Sequence, residues 1–190
     1  MKLSQSFVVQ HPRAVVWDYF GRIADVSQCM PGASVTVPEG DAPVGFTLAV
    51  KLGPISSAFA GSCQVERDDA LFRGVIRGSG QDRRSNSRTK GEIEYRLLEE
   101  QNGRATRVDI AVEYSLAGSL AQFSRGTIVN DVASRLTAEF AANLQARLDA
   151  TSSSSEAKPV AAKQLNAGSL ILPVIWTRIK AFFAVFFRCR

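Results

Sequence analysis

The stretch 118–149, GSLAQFSRGTIVNDVASRLTAEFAANLQARLD, decides how the rest of the chain has to be arranged. Leu120, Phe123, Ile128, Val132, Leu136, Phe140, Leu144 and Leu148 recur mostly at three- and four-residue steps. That spacing puts them on one stripe of a helix about 45 Å long, at ~1.5 Å per residue. Arg125, Arg135, Glu139, Asn143 and Arg147 fall largely on other faces. A helix of this length cannot bury its stripe against itself and needs a broad concave partner. Gly126, early in the stretch, costs about 1 kcal/mol relative to Ala and marks a kink or a close approach.

The segment up to residue 117 supplies that partner, because its apolar period is two. Phe46, Leu48, Val50 and Leu52 alternate with Thr47, Ala49 and Lys51. After Gly53-Pro54 come Ile55, Phe59, Cys63 and Val65, then Phe72, Gly74, Ile76, Gly78 and Gly80. Ile93, Tyr95 and Leu97 follow, and then Val108, Ile110, Val112, Tyr114 and Leu116. Arg73, Arg77, Glu92, Glu94, Asp109 and Glu113 occupy the opposite parity. Such alternation predicts antiparallel strands with one buried and one wet face. The inward glycines are expected to let the sheet bend around the helix and to leave room beneath it.

Further upstream, Lys2–Val9 reads as a strand, Ala14–Ile23 as a helix and Ala24–Met30 as a shorter helical piece ending at the Pro31-Gly32 turn. The expected order is one strand, two short helices, six strands and the long helix. This is an α+β fold in which a curved antiparallel sheet wraps a C-terminal helix.

Three domains are expected: 1–149 globular, 150–167 a Ser-, Ala- and Lys-containing linker, and 168–190 an apolar helix. Residues 1–149 hold 17 basic and 17 acidic residues, so the net charge of +5 lies entirely beyond them. A neutral globular part argues against nucleic-acid binding, and a basic tail points to an anionic surface such as phospholipid. In the tail, Leu170, Ile171, Leu172, Val174, Ile175, Ile179, Phe182, Phe183, Val185, Phe186 and Phe187 each favour lipid by about 0.3–0.6 kcal/mol, on the order of 5 kcal/mol together, whereas Arg178 and Lys180 cost about 2.5–3.5 kcal/mol each at the bilayer centre. The sums roughly cancel. The expectation is therefore a helix lying in the head-group region, with Trp176 at that depth and Arg178, Lys180 and Arg188 reaching phosphates. A transmembrane anchor and a helix that docks on a protein are the rival uses. The N-terminus lacks the apolar run of a signal peptide, which places the expected location on the cytoplasmic side of the membrane.

Catalytic chemistry is hard to find. His11, the single histidine, sits beside Pro12 and reads as a surface or turn residue. Cys29, Cys63 and Cys189 have no metal-ligand spacing and read as reduced thiols. Asp68-Asp69 and Glu99-Glu100 read as hairpin-loop charges. The basic tract Arg83–Lys90 crosses a hairpin turn and reads as a solvated strand end or a docking surface for lipid phosphates or an acidic partner.

This order resembles the helix-grip fold of the START-like (SRPBCC) superfamily. Within it, residues 1–149 resemble the carbon monoxide dehydrogenase G-subunit family. The match rests on Val16-Trp17-Asp18, on the turn Cys29-Met30-Pro31-Gly32-Ala33, and on Gly118-Ser119-Leu120-Ala121-Gln122-Phe123 leading into the long helix. The resemblance implies a non-catalytic accessory protein that links a molybdenum-containing CO dehydrogenase, or a related molybdenum hydroxylase, to the membrane. It also implies an isoprenoid quinone, menaquinone or ubiquinone, as carried ligand, with no tightly bound cofactor.

Strand parity nominates Phe46, Leu48, Phe59, Phe72, Ile93, Tyr95, Ile110 and Tyr114, facing Phe123, Ile128 and Val132 of the helix, as the ligand-binding set. A buried phenol of Tyr95 or Tyr114 could meet a quinone carbonyl, or simply backbone or water. Two other readings stand beside the carrier. One is a cavity enzyme of aromatase, cyclase or hydrolase type; the other is a recruitment factor that carries nothing.

Overall fold

The computed structural model describes residues 1–38, 40, 42–52, 55–125 and 127–155. Met1–Ser152 form one compact unit. The chain runs β1 (Lys2–Val9), α1 (Arg13–Gly21), α2 (Ile23–Ser27), β2 (Ala33–Thr36), β3 (Val44–Leu52), β4 (Ile55–Asp68), β5 (Arg73–Asp82), β6 (Ser87–Glu100), β7 (Ala105–Ala117), a 3-10 turn (Ser119–Arg125) and α3 (Thr127–Ser155). The strands form one antiparallel sheet in the order β1-β7-β6-β5-β4-β3-β2. The fold class read from the sequence is the one observed.

Register follows the period-two pattern, because a slip of one residue would turn every apolar side chain outward. Phe7, Val108 and Leu97 form one row across the inner face. Gln5, Ile110, Tyr95, Gly74 and Arg67 form the next. Beyond Ile93, in the row of Leu3, Val112, Ile76 and Val65, the rows become poor in side chains. Tyr114, Gly91, Gly78 and Cys63 form one of these, and Leu116, Thr89, Gly80 and Gly61 the other.

The outer face carries the charges. Arg77 bridges Glu66 and Glu92 at 2.7 Å each, while Arg73 and Arg96 converge on Glu94 at 2.7 and 2.9 Å. Both guanidiniums hold the Glu94 carboxyl down to about 2, Arg73 contributing most.

The main core gathers at one end, where α1 and α2 close the sheet against the second half of α3. Val9, Val16, Tyr19, Cys29, Leu97, Val108, Leu144 and Leu148 are buried there. A smaller cluster, Phe59 and Leu120 with Val50, Leu116 and Val132 packed on it, lies elsewhere under the helix.

Several expectations need correction. The helix does not begin at residue 118: Gly118 has φ +86°, the 3-10 turn intervenes, and α3 starts at Thr127. Gly126 lies outside the described residues, as do Gly53-Pro54. At its other end α3 continues through residues 150–155, which the linker was expected to include. There the Thr151 and Ser152 hydroxyls donate back to the carbonyls of Arg147 and Leu148, four residues earlier, so these residues satisfy helix carbonyls. The rest of the linker and the segment 168–190 lie outside the described residues.

Phe72 is not in a strand. It ends the β4–β5 turn with φ +48°, a conformation set by the turn, in which the Asp68 carboxylate accepts from the Ala70 and Leu71 amides. Gly74 leaves no void, since a Cβ there would stand 2.1 Å from Cζ of Tyr95, whose ring fills the space.

His11 is buried rather than exposed. Its Nε2 lies 2.7 Å from Asp149 Oδ1, and its carbonyl accepts from the Thr106 hydroxyl at 2.7 Å. It clamps the end of the long helix.

Candidate functional site: a cleft under the first half of the long helix

Helix α3 meets the sheet in two different ways. Its second half is pinned by side chains reaching neighbouring elements. Asn143 Nδ2 donates to the Cys29 carbonyl at 3.0 Å, Arg147 to Gln28 Oε1 at 3.0 Å, and the Gln10 amide to Gln145 Oε1 at 2.8 Å. Leu144 is 0% and Leu148 1% exposed. Its first half is held by fewer contacts, Val132 packing on the Phe59–Leu120 cluster and the Gln5 side-chain amide of β1 donating to Ser134 Oγ at 3.3 Å. Ile128 is 39% exposed although it lies on the apolar stripe. Ile93, at the middle of the inner face, is 36% exposed. In a filled core such a position would be near zero.

Between this half of the helix and β3 runs a cleft of ≈ 810 Å³. Ile128, Val132 and Leu136 of the helix and Val50 of β3 supply its apolar walls, with Ala49, Lys51 and Ser56 along the strand side. Pro31 and Gly32 close the flank. This turn is fixed to β3: the Ala49 amide donates to the Gly32 carbonyl at 2.8 Å. Gly32 has φ +74°, and a Cβ there would lie 2.5 Å from the Ala49 carbonyl oxygen, so only glycine permits so close a wall.

The Pro-Gly turn singled out in the sequence therefore borders the cleft. Asp131, Arg135 and Glu139 form a charged rim at four-residue steps beside the apolar stripe. Sequence reasoning assigned Arg135 and Glu139 to other faces. The signal that could have found them is their place one residue before Val132, Leu136 and Phe140.

The nominated ligand set divides between the two regions. Ile128 and Val132 line the cleft. Phe59 lies in the small cluster on which Val132 packs. Phe46, Leu48 and Tyr114 are half-buried on the inner face, with Ile93 more open. Tyr95, Ile110 and Phe72 belong to the packed end.

There Tyr95 is 5% exposed, with ring centroids of Phe20 at 5.2 Å and Trp17 at 6.1 Å. Burial raises its phenol pKa, and the neighbouring Arg67 guanidinium opposes the rise. Phe72 packs edge-on to Trp17 at 5.7 Å, under the Arg13 guanidinium at 4.0 Å. The side chain of Phe123 and all nominated membrane residues (Leu172, Ile175, Trp176, Arg178, Lys180, Phe182, Phe183, Phe186, Phe187, Arg188) lie outside the described residues.

Burial raises the thiol pKa of both Cys29 and Cys63, which keeps them protonated. Among the described residues no His, Cys, Asp and Glu cluster could hold a metal. No described helix is long and apolar enough to cross a membrane.

Solved structures share this architecture. A conserved protein from Geobacillus kaustophilus superposes with TM-score 0.67 at 14% identity, covering 80% of this chain and 97% of that one. A Thermus thermophilus protein gives 0.59 at 15% identity, covering 80% and 99%. The Zhui aromatase/cyclase from a Streptomyces species gives 0.59 at 13% identity, covering 82% and 98%. At these identities the likeness is one of fold alone. Among curated protein sequences none matches the chain. The model of one family does match, over residues 6–149 and hence most of the sheet and most of the long helix: the chain belongs to the CoxG family, that of the carbon monoxide dehydrogenase G subunit.

Proposed function

We propose that this protein is a non-catalytic carrier that holds a hydrophobic ligand, an isoprenoid quinone such as menaquinone or ubiquinone, in the cleft beneath α3. In this role it links a molybdenum-containing CO dehydrogenase, or a related molybdenum hydroxylase, to the membrane electron-transport chain. The observation that carries the reading is the exposure of Ile128 on the apolar stripe of α3, above a cleft whose apolar walls are completed by Val132, Leu136 and Val50. Apolar surface left uncovered inside a fold is stabilised by a ligand that covers it, at roughly 25 cal/mol per Å² buried.

The first-half stripe of α3 and Val50 fit a flat apolar ring or an isoprenoid tail. Lys51, Arg135 and Ser56 stand beside them as donors toward a carbonyl oxygen. Tyr95 is not assigned that role, because its ring is packed between Trp17 and Phe20. Segment 168–190 supplies the membrane contact.

Extraction of the purified full-length protein with organic solvent, followed by mass spectrometry, tests the carrier. A stoichiometric isoprenoid quinone is expected. An empty extract from protein that still recruits its enzyme to vesicles would replace the carrier with a recruitment factor.

A further inference from the structure

The two ends of the sheet differ in charge. At the end of the β4–β5 and β6–β7 turns, most cations are paired with carboxylates, Arg104 alone of the β6–β7 turn donating to a backbone carbonyl instead. Arg13 meets Glu99 at 2.8 Å, Arg107 meets Glu100 at 3.3 Å, and Arg67 meets Asp69 at 3.6 Å. The other end holds the β5–β6 turn, the close of β7 and the approach to α3. There Arg83, Arg84, Arg88 and Lys90 are all exposed, and none forms an ion pair with a described residue. The nearby Asp82 carboxylate is buried and already accepts from the Ser57 and Ser85 hydroxyls and the Arg84 amide. The first turn of α3 contains no acidic residue, so the positive end of its dipole adds to the same field.

These cations sit on a fixed platform. The Ser119 hydroxyl donates to the Ser85 carbonyl, and the Leu120 amide to Ser87 Oγ at 3.1 Å. Gly118 approaches so closely that a Cβ would lie 2.2 Å from the Asn86 carbonyl oxygen. The β5–β6 hairpin is thereby tied to the segment that leads into the cleft-forming helix. On the convex side, Arg88 and Lys90 border a depression of ≈ 490 Å³ floored by Ala60, Ser62, Ser79, Ser115 and Ala117. These short side chains leave the two cations standing clear of the sheet.

Resting on the carrier reading above, we propose that the β5–β6 hairpin is a second membrane contact, which docks this end of the domain on an anionic phospholipid surface. Charge complementarity sets the orientation. An anionic surface attracts the unpaired cations of this end, whereas the paired charges of the other largely cancel, so the sheet stands end-on with the start of α3 at the lipid. Within about a Debye length the attraction of each cation is worth roughly fivefold in affinity at a surface of this kind. A ligand leaving the bilayer then enters under the half of the helix that stands open.

The test uses the full chain with Cys63 and Cys189 replaced by Ser, Cys29 being buried. An environment-sensitive fluorophore is placed at Gln81→Cys, beside the hairpin cations, or at Leu71→Cys, in the opposite turn. The vesicles are phosphatidylcholine with about 30% of the anionic lipid phosphatidylglycerol. On them the label at position 81 is expected to become shielded and the label at 71 to remain in water. Changing Arg83, Arg84, Arg88 and Lys90 together to Gln should weaken vesicle binding by about tenfold or more, with an unchanged melting temperature. Equal shielding of the two labels, or vesicle binding unaffected by the four substitutions, would overturn the proposal while leaving the carrier intact. So would loss of enzyme recruitment by the four-fold variant with vesicle binding retained, since that outcome assigns the hairpin to an acidic protein. If the unsubstituted full chain ignores anionic vesicles altogether, the membrane link itself fails.

Discussion

Leu136 and Leu144 lie on the same stripe of the same helix, yet they should respond very differently to replacement by alanine. The identical change at both sites cancels helix propensity and side-chain chemistry. Leu144 is fully buried in the main core. Its truncation forfeits about 0.8 kcal/mol for each of the carbons removed, about 2.4 kcal/mol in all, and leaves an enclosed hole, bringing the cost to about 3–4 kcal/mol. Leu136 is half-buried and faces the cleft. The transfer cost there falls to about 1.2 kcal/mol, and no new cavity is created because the space is already open.

With a urea slope of about 2 kcal/mol per M, Leu144→Ala should lower the unfolding midpoint by about 1.5–2 M and Leu136→Ala by about 0.6 M, at unchanged slope. Both should be measured on ligand-stripped protein, because ligand that binds only the folded state would mask the difference. Equal losses at the two sites would mean that the first half of the helix is packed like the second. The cleft, and the carrier function built on it, would then be refuted.

Three further outcomes follow from the same geometry. Tyr95→Phe should cost at most about 1 kcal/mol of stability, since the ring keeps its contacts with Trp17 and Phe20, and leave the recovered ligand unchanged; a loss of ligand at full stability would return Tyr95 to the site. Asp82, whose carboxyl is held down to about 2 by the Ser57 and Ser85 hydroxyls, stabilises the fold above its ordinary value of 3.8 and loses that contribution as pH falls toward 2. The melting temperature of Asp82→Asn should therefore lie below that of the unchanged protein by a constant margin above about pH 5 and converge with it near pH 2, whereas a margin independent of pH down to 2 would contradict the assignment. Deleting residues 168–190 should leave a folded domain with much weakened sedimentation on anionic liposomes, and carbonate should release the full-length protein from membranes; retention in carbonate would mean that the segment spans the bilayer.

The sheet could be read from the sequence because its information is local: alternation fixes which side of a strand is apolar, and the register obeys it. What parity leaves open is whether anything covers that side. Ile93 and Leu97 share one strand face, yet Leu97 is buried under α1 and the end of α3 while Ile93 looks into open space. That difference depends on where the helix is pinned, through Asn143, Gln145, Arg147 and Asp149, to residues more than a hundred positions away. The burial of His11 was hidden for the same reason, its partner lying at the far end of the helix. Phe72 misled because its parity fits β5, whereas the turn before the strand dictates its backbone. The rim residues of the cleft are polar, and a search for apolar lining passes over polar residues.

The long helix is held on both sides of its open half. The Ser85 carbonyl and Ser87 hydroxyl of the hairpin tie the 3-10 turn that precedes it, and the His11 and Asn143 contacts hold the part that follows. It therefore behaves as a fixed lintel rather than a swinging door. A lintel sets the height of an opening and leaves its width free. Guests should be sorted by thickness: a flat ring or a polyisoprenoid tail slides beneath, a bulky cage-like body does not, and lengthening the tail by further isoprene units should cost little affinity because the excess can trail out of the open cleft.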